Sequence, residues 1–189
     1  EDGFIFYSSG LANLVDFIAI SKLDENGNSI WSYTYTYNNY SNYALVANDE
    51  YVYVSNASSY PDYNHHLIKI NSLDGSIVSE TITEGFIYKA DLIKVDDGII
   101  EIAKQNLPDD ESDLLTKYDF NGDTLWTNNI IYTGYDSGYV IEMITLESGN
   151  LLSLNVFYNM TGFEYLLRYY DELGDTTLTI HNFLDFDQF

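Results

Sequence analysis

KYDFNGDTLW at residues 117–126 and KLDENGNSIW at residues 22–31 are close to the same ten residues written twice: a lysine, an acidic turn closed by a glycine, and a tryptophan. The turn glycine recurs as Gly27, Gly75, Gly122 and Gly174, at separations of 48, 47 and 52 residues, and a period of that length is a signature of propeller blades. Around each glycine two alternating segments face one another: FIAISKL with SIWSYTY, HLIKINS with SIVSETI, DLLTKYD with DTLWTNN, and YLLRYYD with TTLTIHN. Asn-Gly and Asp-Gly supply the positive φ that tight hairpins demand. Upstream of the last three lies a second pair, YALVA with EYVYVSN, DLIKV with GIIEIAK, and IEMITL with NLLSLNV, so a full unit holds four antiparallel strands.

The first unit has GFIFYSS as its second strand and nothing before it. NFLDFDQF at residues 182–189 stands where a next innermost strand would begin, and its alternation suits that place. The expectation is therefore an all-β chain, a four-bladed β-propeller of four-stranded antiparallel blades with the innermost strand of the first blade supplied by the C-terminus. That is one domain, 1–189, with blades near 183–189 plus 1–37, 41–84, 88–130 and 139–181. Closing the ring this way removes the open sheet edge. Four blades cut from a larger ring remain an open alternative.

Composition agrees with a folded chain: 46% of the 189 residues are apolar and 16% aromatic, ample for one core. With 7 basic against 30 acidic residues the net charge is −23, which repels phosphate backbones and anionic lipid, so no nucleic-acid partner and no membrane insertion are expected. No apolar run approaches the roughly 20 residues that span a bilayer, and the N-terminal stretch does not read as a signal peptide. Absence of cysteine removes disulfides and thiolate metal sites without settling the compartment. Glu1 in place of methionine is read as the start of a processed or trimmed chain.

The pattern of lysine, apolar residue, Asp, two residues, Gly, then Ile or Leu before Trp resembles the propeller repeats of secreted bacterial surface proteins and, more loosely, the quinoprotein-type propeller superfamily. KLDENGNSIW and KYDFNGDTLW carry it best, while KINSLDGSIV and RYYDELGDTTL keep the basic residue and the glycine and lose the tryptophan. The resemblance implies propeller architecture and an extracellular or cell-surface location. It implies no quinone site, and no catalytic residue is carried over.

On the residues themselves, Trp31 and Trp126 read as packing between adjacent blades, and Lys22, Lys69, Lys117 and Arg168 as pairing with acidic neighbours. The tight turns are short and acidic, whereas the longer loops carry Tyr37, Tyr40, Tyr43, Tyr60, Tyr63, Tyr132, Tyr135, Phe157, Tyr158 and Phe163. Tyrosine joins a flat apolar ring to a hydrogen-bonding hydroxyl, which suits sugar stacking and protein contact alike, though many of these rings also serve to cover blade edges. Sequons at Asn39, Asn56 and Asn159 are candidate glycosylation sites.

Sharper chemistry finds less support. DENGN and DFNGD alternate oxygen ligands as a calcium loop does but lack the downstream glutamate, so hairpin turns explain them, calcium is at most a weak candidate and no cofactor is expected. His65 and His66 point to opposite faces of a strand and do not chelate one metal together. DDESD at residues 109–113 reads as a solvated charge run, and no triad or isolated carboxylate pair signals an enzyme. The expectation is a non-enzymatic extracellular module that binds a carbohydrate or protein partner, possibly a copy of itself, through the tyrosine-rich loop face. The alternatives are a structural subunit that assembles by exchanging its terminal strand, and a polysaccharide-active enzyme.

Overall fold

The computed structural model describes residues 3–12, 15–37, 40–58, 64–84, 87–106, 111–131, 137–159 and 162–185, and among these described residues there are fifteen strands and no helix. They form four antiparallel sheets in chain order. The first has three strands, β1 (Gly3–Ala12), β2 (Val15–Asp24) and β3 (Ser29–Tyr37). The second holds β4 (Tyr40–Ala47), β5 (Tyr51–Ser58), β6 (Asn64–Asn71) and β7 (Ile77–Glu84). The third holds β8 (Ile87–Val95), β9 (Gly98–Asn106), β10 (Glu111–Asp119) and β11 (Thr124–Ile131). The fourth holds β12 (Ser137–Thr145), β13 (Leu151–Asn159), β14 (Gly162–Tyr170) and β15 (Thr176–Asp185). Two compact units contain them, Glu1–Leu92 and Ile93–Phe189.

One expectation is corrected. Residues 183–185 do not form the inner strand of the first sheet; Phe183, Leu184 and Asp185 pair with Glu164, Phe163 and Gly162 as the end of β15. The alternation in NFLDFDQF suits a ten-residue outer strand as well as a new inner one, and hydrogen bonds to β14 continue without a break. Residues 186–189 lie outside the described residues.

Three of the four turns are built alike, and the second differs: it opens on Asn71, whose Oδ1 accepts the N–H of Leu73, and Asp74 Oδ1 accepts that of Ser76. Asp24 Oδ1 accepts the backbone N–H of Asn26 at 2.9 Å and of Asn28 at 2.8 Å. Asp119 does the same for Asn121 and Asp123, and Asp171 for Leu173 and Asp175. The carboxylates that open DENGN and DFNGD thus accept from the backbone of their own hairpin turns. Just before each turn the outer hairpin slips by one residue: Lys22, Lys69, Lys117 and Tyr169 are the last regularly paired residues, opposite Trp31, Ser79, Trp126 and Leu178. Tyr169, not Arg168, therefore stands at the lysine position in the fourth sheet, because the count runs back from Asp171 and not from the nearest basic residue.

The turn carboxylates set an acid limit. Hydrogen bonds from the Asn28 side chain and backbone hold Asp24 below the ordinary value of 3.8, and the Ser76 hydroxyl and N–H do so for Asp74. For Asp119 partial burial pushes upward, but the N–H groups of Asp123, Asn121 and Gly122 and the Asn121 amide outweigh it. A folded value below the unfolded one contributes stability above about pH 3.8, lost as pH falls through the lowered values. Against this, self-repulsion from −23 charges relaxes as pH falls from 7 toward the pI of 4.1. The denaturant midpoint is thus expected to rise on acidification from neutrality and then collapse below pH 3.8. Asp24→Asn with Asp119→Asn should make the acid limb shallower; an unchanged limb would show that the turns do not set it.

Each unit has its own core. In Glu1–Leu92, Ile18, Ile20 and Trp31 of the first sheet pack against Val52, Val54, Ile68 and Ile70 of the second. In Ile93–Phe189, Ile100, Ile102, Leu115, Trp126 and Ile130 of the third sheet pack against Val140, Met143, Leu151, Phe157, Leu166 and Tyr170 of the fourth. Each tryptophan seats on the turn of the following sheet. Trp31 Nε1 donates to the Ser72 carbonyl at 3.0 Å, with its ring over Gly75; Trp126 Nε1 donates to the Glu172 carbonyl at 2.9 Å, with its ring over Gly174. Ser72 and Glu172 hold the same place, directly after the residue that opens the turn.

The basic side chains meet partners of several kinds. Lys117 meets a carboxylate, Asp97, at 2.8 Å. Lys22 donates to the Ser72 carbonyl at 3.0 Å, Lys69 lies 3.8 Å from the centre of the Tyr51 ring, and Arg168 lies 5.2 Å from that of Phe157.

Candidate functional site: tyrosine rims at the loop ends

On β3 the residues Trp31, Tyr33 and Tyr35 alternate onto the face that meets the second sheet, the tryptophan nearest the turn and the tyrosines toward the loop end. The Tyr33 and Tyr35 rings lie 5.9 Å apart, and the Tyr35 ring meets His66 edge-on at 6.3 Å. The Tyr35 hydroxyl donates to Glu80 Oε1, and His66 Nδ1 lies 2.8 Å from the same oxygen. Pairing explains the convergence: Glu80 lies opposite Ile68 and His66 lies opposite both Asn56 and Ile82, so all share the core face of the second sheet. Burial, and then the Glu80 charge, push the Tyr33 phenol above its ordinary value. His65 points the other way and meets Ser55 Oγ at 3.0 Å, as adjacent strand residues must.

Asn56 completes this corner. It is 1% exposed beside His66, and neither amide atom has a hydrogen-bond partner among the described residues. A buried amide in that state carries a desolvation cost of about 1–3 kcal/mol. Its burial also leaves no room for a glycan, which removes Asn56 from the candidate glycosylation sites. Chemically the seam offers aromatic faces, a carboxylate acceptor held by two donors, and an imidazole. It holds no nucleophile paired with a base, and no group of three or more metal-ligating side chains occurs among the described residues.

In the fourth sheet Tyr158 and Phe163 pair across β13 and β14, their rings 6.3 Å apart, and Phe163 meets Tyr165 at 5.6 Å and 87°. This ladder is half-buried and continues toward the turn through Leu167 and Tyr169 on the same face. Phe157, one residue away, faces the core and is fully buried, so it leaves the set of loop aromatics. Tyr37, Tyr40, Tyr43 and Asn159 lie in strands whose side chains at those positions are outside the described residues. Tyr60, Tyr63, Tyr132, Tyr135 and Asn39 fall outside the described residues altogether.

Of the seam, only the tyrosine stripe had a local signal in the sequence, its period of two along SIWSYTY. Glu80 is one of 30 acidic residues, and the 45 positions that separate it from Tyr35 leave no mark on either segment.

No family model and no curated protein matches the chain. Among solved structures, a mutant of Synechocystis apocarotenoid oxygenase aligns at 11% identity and a TM-score of 0.43, over 97% of this chain and 61% of that one. Cobalt-substituted Synechocystis ACO gives the same figures, and an ACO/RPE65 chimera gives 11%, 0.41, 95% and 58%. The chain thus spans about three fifths of the length of these structures, and at such scores the likeness carries no argument about ligand, reaction or ring.

Proposed function

We propose that this chain is a non-enzymatic extracellular binding module built of propeller-type blades, whose four sheets are the four blades, and that it meets a carbohydrate or protein partner at its tyrosine-rich loop ends. The cluster of Tyr33, Tyr35, His66 and Glu80 carries the reading and favours the carbohydrate. Flat rings stack on the apolar face of a sugar, while Glu80, drawn on by Tyr35 and His66, accepts from hydroxyls. An extracellular or surface location rests on the resemblance of the repeat motif. Assembly by donating residues 183–189 loses support, since 183–185 already pair with β14.

The test is affinity gel electrophoresis of the full chain in native gels cast with neutral polysaccharides such as mannan, xylan or β-glucan. At least one is expected to retard the wild type. Glu80→Gln, which keeps shape and loses charge, should weaken retardation about tenfold, since a hydrogen bond to a charged group contributes about 1.5–3 kcal/mol. Tyr35→Phe should weaken it less. If no polysaccharide retards the protein, or if Glu80→Gln migrates as the wild type does, the seam is not a carbohydrate site.

A further inference from the structure

Between the third and fourth sheets a chain of side-chain hydrogen bonds runs almost into a ring. Asn155 on β13 donates from Nδ2 to Ser153 Oγ at 2.6 Å and to the Leu166 carbonyl at 3.3 Å, which fixes the orientation of its amide. Ser153 in turn donates to the Tyr170 hydroxyl oxygen at 3.3 Å, and Arg168 bonds to the same hydroxyl. Burial pushes the Tyr170 phenol above its ordinary value, so it keeps its proton. Two groups are then left over: that proton, whose acceptor is not among the bonds just given, and Asn155 Oδ1, which has no hydrogen-bond partner among the described residues although Asn155 is 0% exposed. A carboxylate of the facing sheet reaches the same place, because Asp113 Oδ2 accepts the Val140 N–H at 2.9 Å and Val140 lies opposite Asn155.

Register puts a second asparagine at the corresponding place in the other unit. Asn155 lies opposite Leu166 and Asn56 opposite His66, each pair five residues before the one that opens the turn, Asp171 and Asn71. Both asparagines stand on the face that meets the preceding sheet of their own unit, and an amide stripped of water there is costly unless something bonds to it. The missing member of the ring has to accept a proton from Tyr170 and donate one to Asn155. A metal ion accepts no hydrogen bond, and the Arg168 charge at the same hydroxyl opposes a second cation. Water does both, and a buried water makes about three hydrogen bonds to polar groups that otherwise lack them.

We propose that each unit encloses an ordered water between its two sheets at this asparagine. In Ile93–Phe189 the water accepts the Tyr170 proton and donates to Asn155 Oδ1, which closes the ring, and its second proton goes to the Asp113 carboxylate. In Glu1–Leu92 it bonds the Asn56 amide, on the face that also carries His66 and Glu80. Asp113 belongs to the third sheet and the ring to the fourth, so the water is part of what holds the two in register, and it exchanges with solvent only when the sheets part.

Oxygen-17 relaxation dispersion of the full chain tests this, since its amplitude reports waters held for longer than the protein takes to tumble. Roughly one buried water per 27 residues is ordinary, so the difference between variants is read and not the total. Asn155→Leu and Asn56→Leu, each close in size to the residue replaced, should each lower the amplitude by the share of one water, and the double variant by both shares. Asn56→Leu should also lower the folding equilibrium constant about tenfold, because it strands the groups that the water satisfies. Were the Asn56 amide bare, leucine would remove its desolvation cost and raise that constant instead. If a variant fails to fold, the wild type still decides: magnetisation transfer in the rotating frame from water to the side-chain amide protons of Asn155 and Asn56 is expected. An amplitude unchanged in either variant, a stabilising Asn56→Leu, or no transfer to these amides overturns the proposal.

Discussion

Replacing Trp31 with alanine is expected to destabilise the unit Glu1–Leu92 by about 3–5 kcal/mol, the range for deleting a buried aromatic side chain. Three losses coincide. Trp31 is 8% exposed and fills the corner between the first two sheets; its indole N–H satisfies the Ser72 carbonyl; and its ring covers the backbone at Gly75. A domain's whole stability is about 5–15 kcal/mol, so the variant unit should be close to unfolding at physiological temperature. Trp31→Phe keeps a ring and loses the indole donor. Lys22 still donates to the Ser72 carbonyl, so this variant should lose about 1–2 kcal/mol and not more. Trp126→Ala should fall below Trp31→Ala, since Trp126 is only partly buried. Hydrogen exchange read separately over the two units checks all three, and equal protection in wild type and Trp31→Ala would dismiss the tryptophan as the lock between sheets.

The second large effect comes from the glycines beneath those rings. Gly27, Gly75 and Gly174 have φ of 82°, 74° and 81°, a left-handed conformation that costs a side-chain-bearing residue about 1–2 kcal/mol. At Gly27 that is the whole penalty. At Gly75 a Cβ would also stand 2.8 Å from Trp31 Cδ2, and relieving it means moving a ring fixed in the core, a further ~1–3 kcal/mol of overpacking. At Gly174 the Trp126 ring has freedom to shift outward. Melting temperatures should therefore fall in the order Gly75→Ala, Gly174→Ala, Gly27→Ala, with the first lowest. Equal losses at Gly75 and Gly27 would mean that backbone conformation alone sets the cost. Double variants with Trp31→Ala separate the terms, because removing the ring should bring Gly75→Ala to the level of Gly27→Ala.

The hairpins were legible in the sequence because their causes are local: an Asp that caps the turn, a glycine that takes positive φ, and alternation on either side. The sheets follow from four such hairpins and three preceding pairs. What was not legible depends on neighbours far along the chain. The tryptophans of KLDENGNSIW and KYDFNGDTLW read from the sequence as packing between neighbouring sheets, but the turn carbonyls of Ser72 and Glu172 on which their indoles seat did not. Charge alone points to Arg168 as the counterpart of the lysines, whereas the turn count places Tyr169 there. At the end of β15 alternation carries no information about which neighbour the strand pairs with, so a separate inner strand and a longer outer one look the same in sequence. Glu80 and His66 became a site through register between sheets, which neither residue's surroundings announce.

The slipped pairing before each turn has a consequence for how this chain behaves among copies of itself in its least ordered moments. Each slip lies on an outermost strand, β3, β7, β11 or β15, and leaves Ile30, Val78, Leu125 or Thr177 without an opposite residue. Such a kink twists the strand's free edge and spoils it as a straight template, which guards against edge-to-edge growth into cross-β fibrils. The edges at β4 and β12 are also irregular, whereas β1 pairs through ten residues without a break. During synthesis or stress β1 is therefore an edge more in need of cover than β4 or β12, and amyloid-like growth, where it involves these edges, should start from residues 3–12.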